Sequence, residues 1–180
     1  MLFLKQLFLK NNKVGAIAPS SAQLVKLMTK NINYKTANVI VEFGAGTGAV
    51  TKALLQNMRS ESKLIVFELN QSFMSYLKAN FIDSRIIWVT DSAEQLPQIL
   101  ERIGCIQVDA IISSLPLSIF PEQLRTEIIH NAKTTLTPDG LYVQFQYSLH
   151  ALSLLKKNFT QVELSCTPFN IPPAVVYTCK

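Results

Sequence analysis

The sequence predicts a single α/β domain: a mainly parallel sheet, helices on both faces, and an antiparallel hairpin at the C-terminal end. Three observations lead there. From residue 38 onward, short β-branched runs alternate with segments of helical period. The runs are apolar on both faces, which implies strands covered on both sides. The tail breaks the alternation: residues 160–166 and 174–179 read as two strands around a Pro-rich turn.

Each element has its own signal. Val39-Ile40-Val41-Glu42-Phe43 is the first strand, closed by a glycine cluster. Residues 49–58 follow as a helix, with Val50, Ala53 and Leu54 on one face. Leu64 to Phe67 is the second strand. Asn70 caps the next helix, where Phe73, Met74, Leu77 and Phe81 share a side. Arg85 to Val89 is the third strand, with Trp88 a core residue. The following helix carries Leu96, Ile99, Leu100 and Ile103 on one side. Val108 to Ile112 is the fourth strand. A helix after Pro121 places Leu124, Ile128, Ala132 and Leu136 together, with His130 at its surface. Pro138-Asp139-Gly140 then turns into Leu141 to Phe145, the fifth strand. Ahead of all this, residues 1–36 form a helical N-terminal appendage, including a helix near 20–32 that Ser20 or Ser21 caps; residues 37–180 form the core.

Charge separates these two parts. Lys+Arg number 17 and Asp+Glu 12, a net charge of +5. The first acid is Glu42, and six lysines precede it: Lys5, Lys10, Lys13, Lys26, Lys30 and Lys35. The rest of the chain is close to neutral. That excludes a uniformly basic nucleic-acid coat and leaves a basic leading segment. Within it, Phe3, Leu4, Leu7 and Phe8 share an apolar arc opposite Lys5, Gln6 and Lys10. The stretch is too short to span a bilayer and lacks a cleavage site, so a cytoplasmic protein is expected. Lying in a lipid interface, closing as a lid, packing on the core and binding RNA phosphates are all open to it. The three cysteines, Cys105, Cys166 and Cys179, form no metal-ligand spacing and read as free thiols; no metal is expected.

Chemistry concentrates where strands end. Gly44-Ala45-Gly46-Thr47-Gly48 follows the first strand and opens a helix, a bend where glycines allow positive φ and close ligand approach. Ala49 stands where a dinucleotide fingerprint needs its third glycine, so a compact adenosine ligand fits better than NAD. Glu42 precedes the loop. Glu68 ends the second strand, where an acid accepts both hydrogen bonds of a ribose diol. Asp91 and Ser92 end the third strand on the same rim. The alternative is a bare turn with two exposed acids.

Val39 to Gly48 resembles motif I of class I S-adenosylmethionine-dependent methyltransferases. Phe67-Glu68-Leu69 resembles their motif II and Thr90-Asp91-Ser92-Ala93 their motif III. The resemblance implies a Rossmann-like methyltransferase domain with a seven-stranded sheet, S-adenosyl-L-methionine as cofactor, and cofactor contacts from Glu42, Gly44, Ala45, Gly46, Gly48, Glu68, Leu69, Asp91, Ser92 and Ser113.

The acceptor lies over motif IV in this family, here Asp109 to Leu117. Adenine and glutamine N-methyltransferases carry Asn/Asp-Pro-Pro-Tyr there, and ribosomal RNA adenine dimethylases Asn-Leu-Pro-Tyr. This chain keeps Leu115-Pro116 but replaces the amide by Ser113 or Ser114 and the aromatic by Leu117, so a flat base loses its clamp and its stacking platform. The combination resembles bacterial phospholipid N-methyltransferases, through Val14 to Ser21, the Ser-x-Leu-Pro-Leu motif IV, and Asn170-Ile171-Pro172-Pro173-Ala174. That implies methylation of a phosphatidylethanolamine-type amine and a phospholipid or membrane-surface partner. An RNA or small-molecule acceptor, or a cofactor-binding module without turnover, are the alternatives. Backbone carbonyls around Ser113 to Leu115 are expected to orient the amine. Tyr147 is placed to meet the ammonium by cation–π contact and His150 to relay a proton.

Overall fold

A computed structural model describes residues 20–180 except Phe169 and Ile171. The basic leader, residues 1–12, and the Val14 to Pro19 part of the N-terminal motif lie outside the described residues. In chain order the described elements are α1 (Ala22–Thr29), β1 (Val39–Phe43), α2 (Ala49–Asn57), β2 (Lys63–Phe67), α3 (Gln71–Asn80), β3 (Ile86–Val89), α4 (Leu96–Arg102), β4 (Val108–Ser113), α5 (Glu122–Thr135), β5 (Leu136–Gln146), α6 (Leu152–Asn158), β6 (Val162–Thr167) and β7 (Ala174–Cys179). Short 3-10 turns at Ala93–Gln95 and Leu117–Ile119 precede α4 and α5.

The strands form one seven-stranded sheet in the order β3-β2-β1-β4-β5-β7-β6. β1 to β5 run parallel to one another, while β7 runs antiparallel between β5 and β6. Alternation along each strand splits the core in two. Val41, Phe43, Ile65, Phe67 and Ile111 pack under α4, α5 and α6. Ile40, Leu64, Val66, Ala110 and Ile112 pack under α1, α2 and α3. The two-faced apolar runs therefore have the physical cause expected of them: a helix layer lies on each side.

Helix α1 shows why a short helix of modest propensity forms. Ser21 Oγ accepts the Leu24 N–H at 3.2 Å, an N-cap. Leu24 and Met28 are fully buried, and Val25 and Ile32 nearly so. Each such side chain contributes about 1.5–3 kcal/mol by burial. The C-terminal motif meets it there: Asn170 Oδ1 accepts the Ser21 N–H at 3.2 Å. Two stretches 149 residues apart are thus joined by one amide.

Apart from shifts of one or two residues at strand and helix ends, three boundaries differ from expectation. Leu136 continues the helical period of α5, yet it begins β5, because Val108 pairs with Leu136 and Ala110 with Leu141. Residues 137–140 bulge out opposite Asp109 alone. Pro138-Asp139-Gly140 is therefore an excursion within β5, not a turn before it. Ile103 lies past the end of α4 and is exposed, unlike Leu96, Ile99 and Leu100. Phe81 likewise caps α3 and does not lie within it. Periodicity reports a shared face but not where the backbone leaves it.

Candidate cofactor and acceptor site

The sheet order reverses between β1 and β4, and ligands of open α/β sheets bind at the carboxyl ends of strands on either side of such a switch. The glycine loop leaves β1 and motif IV leaves β4 at that point. They are stitched together: the Ser114 N–H donates to Phe43 O at 2.9 Å, and the Gly44 N–H to Phe67 O at 2.9 Å.

The glycines divide the labour. Gly44, Gly46 and Gly48 all have positive φ, at 73°, 53° and 82°. A β-carbon placed on Gly48 would lie 2.5 Å from Phe81 Cε2, and one on Gly44 3.3 Å from Leu115 Cδ2. One on Gly46 would meet nothing within 4 Å. Gly48 is therefore demanded by packing, whereas Gly46 turns bare backbone toward open space. Ala45 between them is buried in the second core.

Both acids are buried, so the reading of a bare turn with exposed acids fails. Glu42 is 1% exposed. Thr51 Oγ1, one turn into α2, donates to Glu42 Oε2 at 2.7 Å. Glu42 Oε1 is buried with no hydrogen-bond partner. Burial, aided by the nearby Glu68 charge, pushes its carboxyl up to about 7. Glu68 is also buried, and desolvation raises its carboxyl above the usual range. Its two oxygens accept the Gly46 N–H and the Asn70 N–H, each at 2.8 Å. Glu68 thus locks motif I to motif II, and each oxygen keeps a further lone pair. Leu69 beside it is half-buried against the first core.

Asp91 Oδ1 accepts the Ser92 N–H at 2.9 Å. Asp91 and Thr90 line an open groove of about 300 Å³ with Ile87, Val89, Ile99 and Ile103. The partly buried Trp88 lines it too and packs on the second core. Ser92 is buried, and its hydroxyl bonds Glu94, whose carbonyl accepts Asn131 Nδ2 at 2.8 Å.

Motif IV is held by amides. Ser113 is fully buried, and its Oγ accepts the Leu115 N–H at 3.3 Å. The Leu115 carbonyl accepts Gln144 Nε2 at 3.0 Å and Gln146 Nε2 at 2.7 Å. Tyr142 donates its phenol to Gln144 Oε1 at 2.7 Å. The Leu117 N–H donates to the same carbonyl at 2.9 Å, so three donors hold it in the loop and turn it away from an amine. Leu117 is buried and offers no platform to a base. Tyr147 is 44% exposed one residue past Gln146, its ring edge-on to Phe145 at 5.4 Å. His150 lies farther along the rim, in a cleft with Leu117 and Ser118, and His130 is exposed on α5.

Thr51, Glu94, Gln144 and Gln146 escaped the sequence reading. The two glutamines carried a signal: they alternate within an otherwise apolar strand, and a buried amide needs partners. Among the described residues no cluster of three His, Cys, Asp or Glu forms a metal-binding arrangement.

The residues at the switch point fit S-adenosylmethionine. Its sulfonium and ammonium charges suit a buried carboxyl with an unpartnered oxygen. Its bulk suits the open space before Gly46.

A methyltransferase-domain family model matches residues 40–140. The ornithine lipid N-methyltransferase of Singulisphaera acidiphila is 31% identical over 181 residues, covering 99% of this chain and 94% of the relative. The N-methyltransferase NodS of Bradyrhizobium japonicum WM9 has the same fold, with a TM-score of 0.70 at 14% identity, over 87% of this chain and 93% of that one. So does 1,6-didemethyltoxoflavin-N1-methyltransferase of Burkholderia thailandensis, solved with S-adenosylhomocysteine: TM-score 0.68, 15% identity, 98% of this chain and 84% of that one.

Proposed function

Because this chain belongs to the S-adenosylmethionine-dependent methyltransferases, we propose that it methylates the amine nitrogen of a lipid headgroup. The relative aligned over almost the whole chain carries this reading: it is an ornithine lipid N-methyltransferase. Motif IV supports it, since neither Ser113, Ser114 nor Leu117 clamps or stacks a base.

The cofactor supplies an electrophilic methyl group on a sulfonium sulfur. Around it, Glu42 holds a positive charge through its unpartnered oxygen. Glu68 receives the ribose diol, and Asp91 with Ser92 borders the adenine. Gly44, Ala45, Gly46 and Gly48 bring backbone close, with Leu69 as an apolar wall and Ser113 at the floor. Ser113 and Leu115 shape the acceptor position, Leu115 through the two glutamine amides that pin its carbonyl. Tyr147 offers its ring face to the acceptor cation. A lipid ammonium has a pKa of about 10, so it sheds a proton before in-line attack, to solvent or through His150.

The division into an N-terminal segment, 1–36, and a core, 37–180, is part of the proposal. Within that segment, α1 is packed on the sheet, which leaves the basic leader to seek an anionic leaflet; each lysine there contributes about 1 kcal/mol. No described helix is long and apolar enough to cross a membrane. The enzyme would work from the cytoplasmic side as a peripheral protein.

The test is incubation with methyl-labelled S-adenosylmethionine and, separately, phosphatidylethanolamine vesicles, ornithine lipid vesicles and bulk RNA. Label in either lipid is the expected result. Label confined to RNA would overturn the lipid reading.

A further inference from the structure

Beyond motif IV, between the start of α5 and α6, lies a cleft of about 120 Å³. Its floor is apolar, from Leu117 and Ala151, both buried. Its walls are not. Arg125, Lys157 and His150 line it together with the hydroxyl residues Ser118, Thr126 and Ser153, against one carboxylate, Glu122. The ion pairs among the described residues are Arg59–Glu61 and Arg85–Asp83. The residues outside the description contain no acid. Arg125 and Lys157 therefore face this cleft with no carboxylate bonded to either. Two permanent cations, an imidazole and three hydroxyl side chains line a space the size of a small oxyanion, which is the donor set such a group requires.

The position of the cleft is informative. Leu117 and Ser118 follow β4, and His150 and Ala151 follow β5, so the cleft opens on the rim that carries the glycine loop and motif IV. Its immediate sequence neighbours are exposed hydrophobics: Ile119 is 53% and Leu149 57% exposed. Apolar side chains flanking unpaired cations suit the boundary of a lipid surface, where acyl chains and anionic groups lie side by side.

We infer that this cleft seats the anionic oxygens, phosphate or carboxylate, of a zwitterionic amino-lipid headgroup whose amine lies toward motif IV. The inference rests on the lipid-amine reading and adds a specificity element to it. An amine tethered to a held oxyanion is presented in one orientation, whereas a plain alkylamine is not.

The experiment follows the His150 imidazole resonance of the full chain by NMR while three probes are titrated: sn-glycero-3-phosphoethanolamine, Nα-acetylornithine and inorganic phosphate. Saturable shifts are expected with at least one headgroup fragment, at several-fold lower concentration than with inorganic phosphate. Arg125→Gln with Lys157→Gln, both surface-tolerant changes, should weaken that binding at least tenfold. S-adenosylmethionine affinity, measured on the same protein, should not change. The preferred fragment tells phosphodiester from carboxylate. No saturable shift, a shift unchanged in the double variant, or tighter binding of inorganic phosphate than of either fragment would overturn the headgroup site. Fragment binding without label transfer to either lipid would overturn the acceptor reading alone.

Discussion

The two sides of the switch point solve different problems with different chemistry. On the β1–β2 side, two buried carboxylates and three left-handed glycines crowd one loop. On the β4–β5 side, neutral amides pin a loop, and unpaired cations stand farther out at the surface. The first arrangement stores an electrostatic cost: Glu42 is desolvated with an oxygen unmatched, a cost that a bound cation offsets. The second stores almost none. A common ligand needs a fixed, prepaid pocket, whereas an acceptor presented at a surface needs only a positioned loop and an entrance.

Changes on the cofactor side should therefore be the most damaging. Glu68→Ala removes two charge-assisted backbone hydrogen bonds as well as the proposed diol acceptor. We expect S-adenosylmethionine affinity by calorimetry to fall about 100-fold or about 3 kcal/mol. Unaltered affinity would erase the contrast between the two sides.

Glu42 gives a pH signature of similar size. Its carboxyl is raised from 4.5 to about 7 in the fold. Between those values the folded chain holds a proton that the unfolded chain has released. The stabilisation is thus complete below about pH 4.5 and is lost as pH rises through 7, by about 3 kcal/mol at most. Glu42→Gln should flatten that part of the ligand-free stability curve in chemical denaturation. An equally steep curve in the variant would assign the slope elsewhere.

Two glycines of one loop should respond differently to the same change. Gly48→Ala drives a β-carbon into Phe81 and should cost about 2–3 kcal/mol of stability. Gly46→Ala meets open space, so it should cost about 1 kcal/mol from its φ alone. Its main effect should be on cofactor affinity. Equal melting temperatures for the two variants would contradict this division.

On the proposed acceptor side, Gln146→Leu removes the shortest of the three hydrogen bonds to the Leu115 carbonyl and should cost about 1 kcal/mol. Turnover should fall while cofactor affinity holds; a matching loss of affinity would show the two sides to be one unit. The smallest effect on the fold is expected from deleting residues 1–12, which should leave unfolding unchanged and weaken sedimentation with anionic vesicles. Undiminished sedimentation would take the membrane role from the leader.

Much of this was legible in the chain. Val39 to Phe43, Leu64 to Phe67 and Val108 to Ile112 announced buried parallel strands, because two-sided burial permits no polar alternation. The glycine loop was readable because positive φ selects glycine locally, and Glu68 because a strand end fixes its place on the rim. Leu136 was misread because a leucine satisfies the last turn of a helix and the first pair of a strand equally well.

The kind of fold, the glycine loop and the acids at the strand ends follow from local backbone preference and the period of burial. Which distant groups meet is settled only in the folded sheet. Gln144 and Gln146 reach Leu115, Asn170 reaches Ser21, and Asp109 accepts the N–H groups of Asn38 and Val39 at 2.7 and 2.9 Å. Arg125 and Lys157 come to share a cleft. Such contacts depend on strand order and register, which are settled by the packing of the whole sheet and leave no periodic trace along the chain.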